Sequence, residues 1–387
     1  MQRRCEMAAT NHALLGPSSS KRWLNCTPSA RLTETYEDKE SVFAAEGTDA
    51  HALCEYKLRK ALGVTNEPAP TLQFYDKEME ESANSYVSYI LELVEEAKQN
   101  CKDPIVLIEQ YLNFEKYVPE AFGTGDCLVA GDKTLYVIDF KYGRGVMVEA
   151  EGNTQMMLYA LGALELFDCI YDIDKVSMTI YQPRLSNVST YEITKEELYK
   201  WANEILVPRA QMAYKGEGEY HCGEWCQFCK AKTTCRERAN FNLALASNDF
   251  SKPPLLTDEE VEDVLNRIDA LVAWATDIKD YAFNEALKGK KWKGWKLVAG
   301  RANRKYSDEV AVASAVQAIG INPFEKKLLT ITDLQKKMGK AKFEEIVGQY
   351  IVKPEGKPTL VVETDKRPEL EVNSAINDFK NIDNTEE

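Results

Sequence analysis

This chain of 387 residues has few basic residues relative to acidic ones, few histidines and no long apolar run. Lysine and arginine number 48 against 62 acidic residues, and the net charge is -14. Proteins that bind nucleic acid tightly over their whole surface need lysine and arginine to neutralise phosphates, so this composition argues against such binding. A local basic groove stays compatible with it, because acids that ligate a metal become favourable once the metal is bound.

A membrane segment is also missing. No stretch approaches the roughly 20 apolar residues that span a bilayer, and no signal peptide is visible. We therefore expect no membrane partner and a cytoplasmic protein, in which the ten cysteines form no disulfides. Residues 1–13 are interpreted as a leader without regular structure, because Met7 would serve equally well as the initiating residue.

Two acids and a lysine fall on adjacent predicted strands. The runs 126–130 and 134–141 are rich in β-branched and aromatic residues, and the Gly-Asp-Lys between them is typical of a hairpin turn. Side chains alternate along a strand, which puts Asp139 and Lys141 on one face. Asp126 begins the neighbouring strand.

Paired carboxylates of this kind suit hard divalent cations. Mg²⁺ and Mn²⁺ prefer oxygen ligands, and a bound metal activates water and offsets charge that develops on a phosphate. Lys141 in such a cluster can orient the water or stabilise the transition state electrostatically. In an Asp-x-Lys tripeptide taken alone, the two side chains can equally form a surface salt bridge. The neighbouring elements of the sequence are therefore needed to distinguish a catalytic pair from a structural one.

Two predicted helices supply those surroundings. One covers roughly residues 46–62 and places His51 and Glu55 one turn apart on a single face. On the other, Gln155 and Tyr159 share a face. Taken alone, His51 is equally consistent with a half-buried structural histidine, and Gln155 with Tyr159 is equally consistent with an ordinary helix surface. The order of all these elements along the chain carries more information than any one of them.

The cysteines crowd into one short segment. Cys226-x-x-Cys229-x5-Cys235, with Cys222 just before it, has the spacing of a metal or cluster site. A zinc knuckle would use these four residues and need nothing else from the chain. An iron-sulfur cluster would use Cys226, Cys229 and Cys235 with one distant thiolate. Both interpretations stay open at this point.

In their order, the motifs resemble those of the PD-(D/E)XK nuclease superfamily, in particular its RecB-like branch. The residues that carry this resemblance are His51, Gly125-Asp126, Asp139-Phe140-Lys141 and Gln155-x-x-x-Tyr159. The resemblance covers roughly residues 14–240, and it implies an α/β core with a mixed central sheet and flanking helices.

The same resemblance implies a role for each residue. His51, Asp126, Asp139 and the backbone carbonyl of Phe140 are expected to bind Mg²⁺ or Mn²⁺. Lys141 is expected to be catalytic together with the two aspartates. Gln155 and Tyr159 are expected to position the DNA and the active site. Glu109, on the preceding strand, is a weaker candidate that fits an exposed strand residue equally well.

The segment around Cys26 resembles the N-terminal cysteine segment of iron-sulfur RecB-type nucleases, which include the AddB subunit and nucleases of CRISPR adaptation. This likeness implies a [4Fe-4S] cluster on Cys26, Cys226, Cys229 and Cys235 that joins the two ends of the nuclease core. Cys222 is extra to the pattern. It keeps open the alternative of Zn²⁺ on Cys222, Cys226, Cys229 and Cys235.

The predicted domains are a nuclease core over residues 14–248 and an accessory domain over residues 249–372. The accessory domain is expected to be mainly helical, with a basic and aromatic hairpin at 288–296. Its lysines would follow phosphates while its indoles stack on unpaired bases, or the lysines are solvated and the tryptophans buried. Residues 373–387 are expected to be disordered.

These expectations combine into a metal-dependent deoxyribonuclease, in particular an exonuclease that acts on DNA ends or single strands. The whole pattern resembles a family of phage and prophage proteins. It thereby implies a setting of viral replication or recombination in the host cytoplasm, with phage proteins as partners. Two alternatives remain: a noncatalytic DNA-binding or recombination scaffold that retains the fold, and a zinc-knuckle adaptor without nuclease activity.

Overall fold

The structure is a computed structural model that describes residues 13–36, 42–246, 257–298 and 331–351, with isolated positions between 310 and 317. The chain divides into two units, Met1–Val298 and Ala299–Glu387. The predicted domain boundary at 248/249 differs from this division, because the long helix that follows falls within the first unit. The predicted leader up to residue 12 and the predicted tail over 373–387 lie outside the described residues.

The first unit is an α/β structure with a mixed five-stranded sheet. Neighbouring strands follow the order of the chain, β1-β2-β3-β4-β5. β3 and β4 are parallel, and the other three pairs are antiparallel. The parallel pair needs a crossover connection, which a helix between the two strands supplies. The strands are β1 Ile105–Asn113, β2 Phe122–Ala130, β3 Lys133–Phe140, β4 Ile173–Gln182 and β5 Asn187–Thr194.

Nine α-helices accompany the sheet in the described part of the first unit. They are α1 Ser20–Asn25, α2 Ser29–Leu32, α3 Val42–Ala61, α4 Lys77–Asn100, α5 Thr154–Phe167, α6 Lys195–Trp201, α7 Val207–Lys215, α8 Arg236–Ala246 and α9 Asp258–Leu287. The crossover helix α5 begins where the Asn153 side chain accepts the N–H groups of Gln155 and Met156, which satisfies two donors of its first turn.

Two apolar clusters cover the two faces of the sheet. One contains Val137 of β3 and the buried side of α5, and the other contains Ile138 of β3 with residues of α3 and α4. Because successive side chains of a strand point to opposite faces, β3 contributes alternately to both clusters. Helix α5 is buried along its whole middle, from Met156 to Leu164. It is therefore a central helix of the core, to which Gln155 and Tyr159 are rigidly attached.

Helix α9 opens with a capping box in which Thr257 and Glu260 satisfy each other's backbone N–H groups. The segment after it forms turns, with no strand assigned between residues 288 and 298. The structure thus gives turns where a hairpin was predicted. In the second unit, the described helices are Ile331–Met338 and Lys340–Val347. Within the described residues, every helix is too short or too polar to cross a bilayer.

Candidate active site

The two aspartates lie side by side where the pairing of β2 and β3 ends. Cys127 pairs with Ile138 in an antiparallel register, so that Asp126 and Asp139 stand opposite each other one residue further on. Asp126 Oδ2 accepts the backbone N–H of Phe140 at 2.7 Å. This bond fixes the carboxylate of one strand to the backbone of the next.

Helix α3 brings His51 against the same aspartate. His51 Nδ1 lies 3.5 Å from Asp126 Oδ1. Glu109 of β1 stands opposite Asp126 in the register of β1 and β2, at a point where the ladder skips one pair. Ligand atoms of His51, Glu109 and Asp126 lie within 4.8 Å of one another, which makes them the one such group in the described part of the chain.

The backbone of Glu109 is strained. Its φ of 50° lies in the left-handed region, which non-glycine residues rarely adopt and which costs of order 1 kcal/mol or more. Burial and the Asp126 carboxylate raise the pKa of Glu109 to about 7. A strained, half-buried acid beside a histidine and another acid is typical of a functional site rather than of an exposed strand residue.

A chain of hydrogen bonds joins the other predicted residues. Lys141 Nζ donates to Asp139 Oδ1 at 3.2 Å and to Gln155 Oε1 at 3.3 Å. Gln155 Nε2 donates to Asp139 Oδ1 at 3.3 Å and to Tyr159 OH at 3.1 Å. Gln155 of α5 therefore contacts both Asp139 of β3 and Lys141, which directly follows β3, while Tyr159 contacts Gln155.

Burial and the neighbouring carboxylates shift the pKa values of His51 and Lys141 in opposite directions. Burial lowers the pKa of His51, but the carboxylates of Asp126, Asp139 and Glu109 raise it to about 9. Burial likewise lowers the pKa of Lys141, while Asp139 and Asp126 raise it above its ordinary value. Both groups consequently carry a positive charge at neutral pH in the metal-free protein.

The pKa values of the two aspartates are shifted in opposite directions. Burial raises the pKa of Asp139 despite the nearby Lys141 ammonium. Burial acts on Asp126 in the same direction, but His51 and Lys141 hold its pKa below the ordinary value. Asp139 Oδ2 is buried and accepts no hydrogen bond from the described residues, although Lys141 Nζ lies 3.0 Å away. A buried carboxylate oxygen that has an ammonium group nearby but accepts no hydrogen bond has a lone pair to offer a metal ion.

The structure therefore brings together all the residues that the sequence pointed to, in two linked groups. His51 contacts Asp126, and Asp139 contacts Lys141 and Gln155. The sequence could not show that Glu109 lies beside His51 and Asp126, because a single acid on a predicted strand carries no signal about its three-dimensional neighbours. The predicted role of the Phe140 carbonyl stays a prediction.

The cysteines form a second site around a small concavity. Five of them line it: Cys26, Cys222, Cys226, Cys229 and Cys235. Cys226 Sγ lies 3.9 Å from Cys222 Sγ and accepts the backbone N–H of Gly223. Hydrogen bonding from Cys222, against the effect of burial, lowers the pKa of Cys226 to about 6. A thiolate is the form that binds metals, so these donors fit a thiolate-bound zinc ion or iron-sulfur cluster.

Hydrogen bonds hold the N-terminal segment beside the other cysteines. Thr27 Oγ1 donates to the Glu217 carbonyl at 2.6 Å across 190 residues of chain. Arg31 Nε donates to the Tyr214 carbonyl at 2.6 Å. Cys26 is thus positioned by contacts that do not require a metal. The Ser20 and Thr154 hydroxyls, 2.6 Å apart, also connect this segment to the start of α5.

The fold and site define an α/β protein with an acid, histidine and lysine cluster at the ends of its central strands, and with a separate cysteine cluster. A family described as "Protein of unknown function (DUF2800)" matches residues 12–368, and the chain belongs to that family. Among solved structures, "Crystal structure of SSO0001" is similar, with 15% sequence identity and a TM-score of 0.23. That alignment covers 56% of this chain and 96% of the other. The likeness is too weak to inform the site.

Proposed function

We propose that this protein is a metal-dependent deoxyribonuclease with a PD-(D/E)XK core, and that it acts as an exonuclease on DNA ends or single strands. One observation carries the proposal. His51, Asp126, Asp139, Lys141, Gln155 and Tyr159 come from two helices and two strands, yet they meet in one network of ion pairs and hydrogen bonds. An ion pair that serves only stability needs two of these residues, so the meeting of all six favours a functional site.

The donor set suits Mg²⁺ or Mn²⁺. His51, Asp126, Asp139 and Glu109 would hold the ion, with the Phe140 carbonyl as a further ligand, because hard cations prefer oxygen donors. When bound, the metal would supply an activated water and offset charge on the scissile phosphate. Glu109 is our addition to the residues that the resemblance implies.

Lys141 contributes charge rather than a base. The raised pKa of its amine keeps it protonated at neutral pH, since two carboxylates surround it. A fixed ammonium stabilises negative charge that develops on a phosphate in the transition state. Gln155 holds Lys141 through Oε1 and Asp139 through Nε2, so it positions both groups, while Tyr159 supports Gln155 from the same helix.

For the cysteines we propose a [4Fe-4S] cluster on Cys26, Cys226, Cys229 and Cys235. Ligands of a tetrahedral zinc ion lie about 3.8 Å apart, given Zn–S bonds of about 2.3 Å. Among the described cysteines no three sulfurs lie within 4.8 Å of one another, which suits a larger cluster. The close pair of Cys222 and Cys226 supports the zinc alternative. A setting in phage replication or recombination, in the host cytoplasm, is proposed from the resemblance alone.

The test is digestion of end-labelled single- and double-stranded DNA with Mg²⁺ or Mn²⁺, using anaerobically purified protein. Lys141→Ala is expected to abolish cleavage while it leaves the circular dichroism spectrum and the iron content unchanged. Lys133→Ala is the matched control, because Lys133 begins the strand that Lys141 directly follows, but it is half exposed and paired with Asp172 and Asp174. Cleavage by Lys141→Ala at the wild-type rate would refute the assignment.

A noncatalytic scaffold predicts a different result. Wild-type protein loaded with its cluster would then bind DNA but release no labelled fragment with either metal. A zinc-knuckle adaptor predicts bound zinc without the visible absorbance of iron-thiolate bonds. Metal analysis of the purified protein, together with the cleavage assay, therefore separates all three possibilities.

A further inference from the structure

A strongly basic segment follows α9 in this acidic protein. Lys288–Lys296 contains five lysines, two tryptophans, two glycines and no acid, within a chain whose net charge is -14. The segment lies in the first unit and forms consecutive turns. A local positive charge on an otherwise negative surface attracts a polyanion to this place rather than to the protein as a whole.

The two tryptophans of the segment differ in their surroundings. Trp292 Nε1 donates to the Ala282 carbonyl at 2.9 Å, and its ring meets the Tyr281 ring edge-on with centroids 6.3 Å apart. Trp292 therefore anchors the segment to α9. Trp295, in contrast, exposes 80% of its surface. The backbone N–H of Trp295 donates to the backbone carbonyl of Trp292 at 3.1 Å. This bond closes a turn and holds the exposed Trp295 near the anchored Trp292.

The backbone of the turn depends on glycine. Gly294 has a φ of 83°, a conformation that other residues rarely adopt. It lies directly between Lys293 and Trp295. The turn thus brings Lys293 and Trp295 onto one short piece of backbone, which Trp292 fixes at one end.

The lysines also fall into two groups. Lys290 Nζ lies 4.2 Å from the centroid of the Trp292 ring, and Lys288 pairs with Glu285. Lys291, Lys293 and Lys296 make no ion pair with the described residues. Three lysines with no acidic partner among the described residues therefore lie within four positions of the exposed Trp295 in the sequence.

We propose that Lys288–Lys296 is a binding site for single-stranded nucleic acid, in which an unpaired base stacks on Trp295 while Lys291, Lys293 and Lys296 contact the flanking phosphates. Stacking explains an exposed indole, since every base has a π-face. Charge complementarity explains the three unpaired lysines. A duplex would offer phosphates but no free base face. The choice of DNA as the strand bound in the cell rests on the proposed function.

The test measures anisotropy of labelled oligo(dT) and oligo(rU) in EDTA, so that no cleavage occurs. Trp295→Ala is expected to weaken binding by roughly ten-fold or more, the range for loss of one stacked base. Trp295→Leu is expected to be equally weak, because leucine is apolar but has no ring. Val298→Ala is the matched control, since Val298 is nearby and 73% exposed. Wild-type affinity in either Trp295 variant would refute the site.

The lysines are tested by salt dependence. A triple change of Lys291, Lys293 and Lys296 to Gln is expected to lower the slope of log affinity against log salt by about 2, at about 0.7 per phosphate contact on a single strand. A control with the same charge change, Lys77→Gln, Lys98→Gln and Lys175→Gln, is expected to leave the slope within about 0.5 of the wild-type value. Equal slopes for the two triples would refute the lysine contacts.

Two competitors complete the test. A blunt duplex of equal length is expected to compete poorly, and equal competition would overturn the single-strand preference. Binding to phosphatidylserine vesicles through Trp295, without binding to oligonucleotides, would overturn the proposal in favour of a membrane surface. Cleavage is measured separately with Lys141→Ala. If the Trp295 variants bind oligonucleotides as tightly as the wild type while the wild type cleaves DNA, this binding site is refuted and the nuclease is not. If binding depends on Trp295 but the wild type cleaves no DNA, the nuclease is refuted and this site is not.

Discussion

The side-chain amide of Gln155 donates to the carboxylate of Asp139 at 3.3 Å. The same amide accepts from Lys141 through its oxygen, also at 3.3 Å. Only a group with a donor and an acceptor on one rigid frame can serve both neighbours at once. The position of Gln155 at the start of α5, whose middle is buried, therefore sets the positions of the Asp139 carboxylate and the Lys141 ammonium relative to each other.

Gln155→Glu is expected to reduce cleavage by about 10- to 100-fold, the range for loss of a group that orients metal ligands. Glutamate keeps an acceptor for Lys141 but removes the donor to Asp139 and adds a negative charge beside it. The measurement is kcat and KM on single-stranded DNA, and the loss is expected in kcat. Tyr159→Phe, which removes only the outer hydroxyl, is expected to have a smaller effect. A loss confined to KM would contradict this role.

Metal binding is expected to strengthen with pH. His51 has a pKa of about 9 and Glu109 a pKa of about 7 in the metal-free protein, and ligands must lose their protons to bind a cation. Affinity for Mn²⁺ should rise from about pH 6 to about pH 9, with protons released on binding. Calorimetry in two buffers with different ionisation enthalpies measures this release. An affinity independent of pH would exclude His51 as a ligand.

The two cysteine assignments make opposite predictions for two serine variants. Cys26→Ser is expected to remove iron and the visible absorbance, because it deletes one ligand of the proposed cluster, whereas Cys222→Ser should retain both. If zinc binds instead, Cys222→Ser loses the metal and Cys26→Ser keeps it. Elemental analysis and absorbance of the anaerobically purified variants distinguish the two outcomes.

Asp277→Asn is expected to lower the free energy of unfolding by about 2 kcal/mol, less than the roughly 3–5 kcal/mol for one partner of a fully buried ion pair. Asp277 of α9 pairs with Arg238 at 2.6 Å and Lys232 at 2.7 Å, and the Arg238 side chain is only 7% exposed. The variant leaves that guanidinium without its partner. Asp263→Asn, in an exposed pair on the same helix, should cost below about 0.5 kcal/mol. Urea denaturation compares them.

The same aspartate predicts a pH effect. Burial would raise the pKa of Asp277, but hydrogen bonds from Lys232 and Arg238 hold it below its ordinary value. A depressed pKa in the folded state contributes stability above the unfolded pKa, which is lost as the pH falls through the folded pKa. The difference in unfolding free energy between wild type and Asp277→Asn should therefore shrink below about pH 4. A constant difference down to acid unfolding would contradict this assignment.

Gly162→Ala is expected to destabilise the protein by up to about 2 kcal/mol, since overpacking costs about 1–3 kcal/mol and better helix propensity returns about 1 kcal/mol. A Cβ at this position would lie 2.6 Å from the buried Phe114 ring. Gly47→Ala on α3 is the control. Nothing lies within 4 Å of its Cβ, so it should gain up to about 1 kcal/mol. Equal effects in thermal denaturation would contradict the close contact.

The sequence predicted the parts of the site that local pattern controls. Alternation and turn residues predicted the strands that carry Asp126 and Asp139, because both signals act over a few residues. The position of Glu109 beside His51 could not be predicted for a physical reason, because it depends on how α3 packs on the sheet. The unit boundary at 298/299 depends likewise on the contact of α9 with α8, which no local signal reports.

The contact between Thr27 and Glu217 has a consequence for the order in which the protein is made. Because 190 residues separate these partners, Cys26 is synthesised long before Cys222, and the segment that holds Cys26 cannot reach its place beside the other cysteines until Glu217 has been made. The residues of the acidic site, from His51 to Tyr159, are all synthesised within that interval. If the proposed cluster on Cys26, Cys226, Cys229 and Cys235 forms, its set of ligands is therefore complete only after Cys235 has been synthesised, when His51 to Tyr159 are already part of the chain.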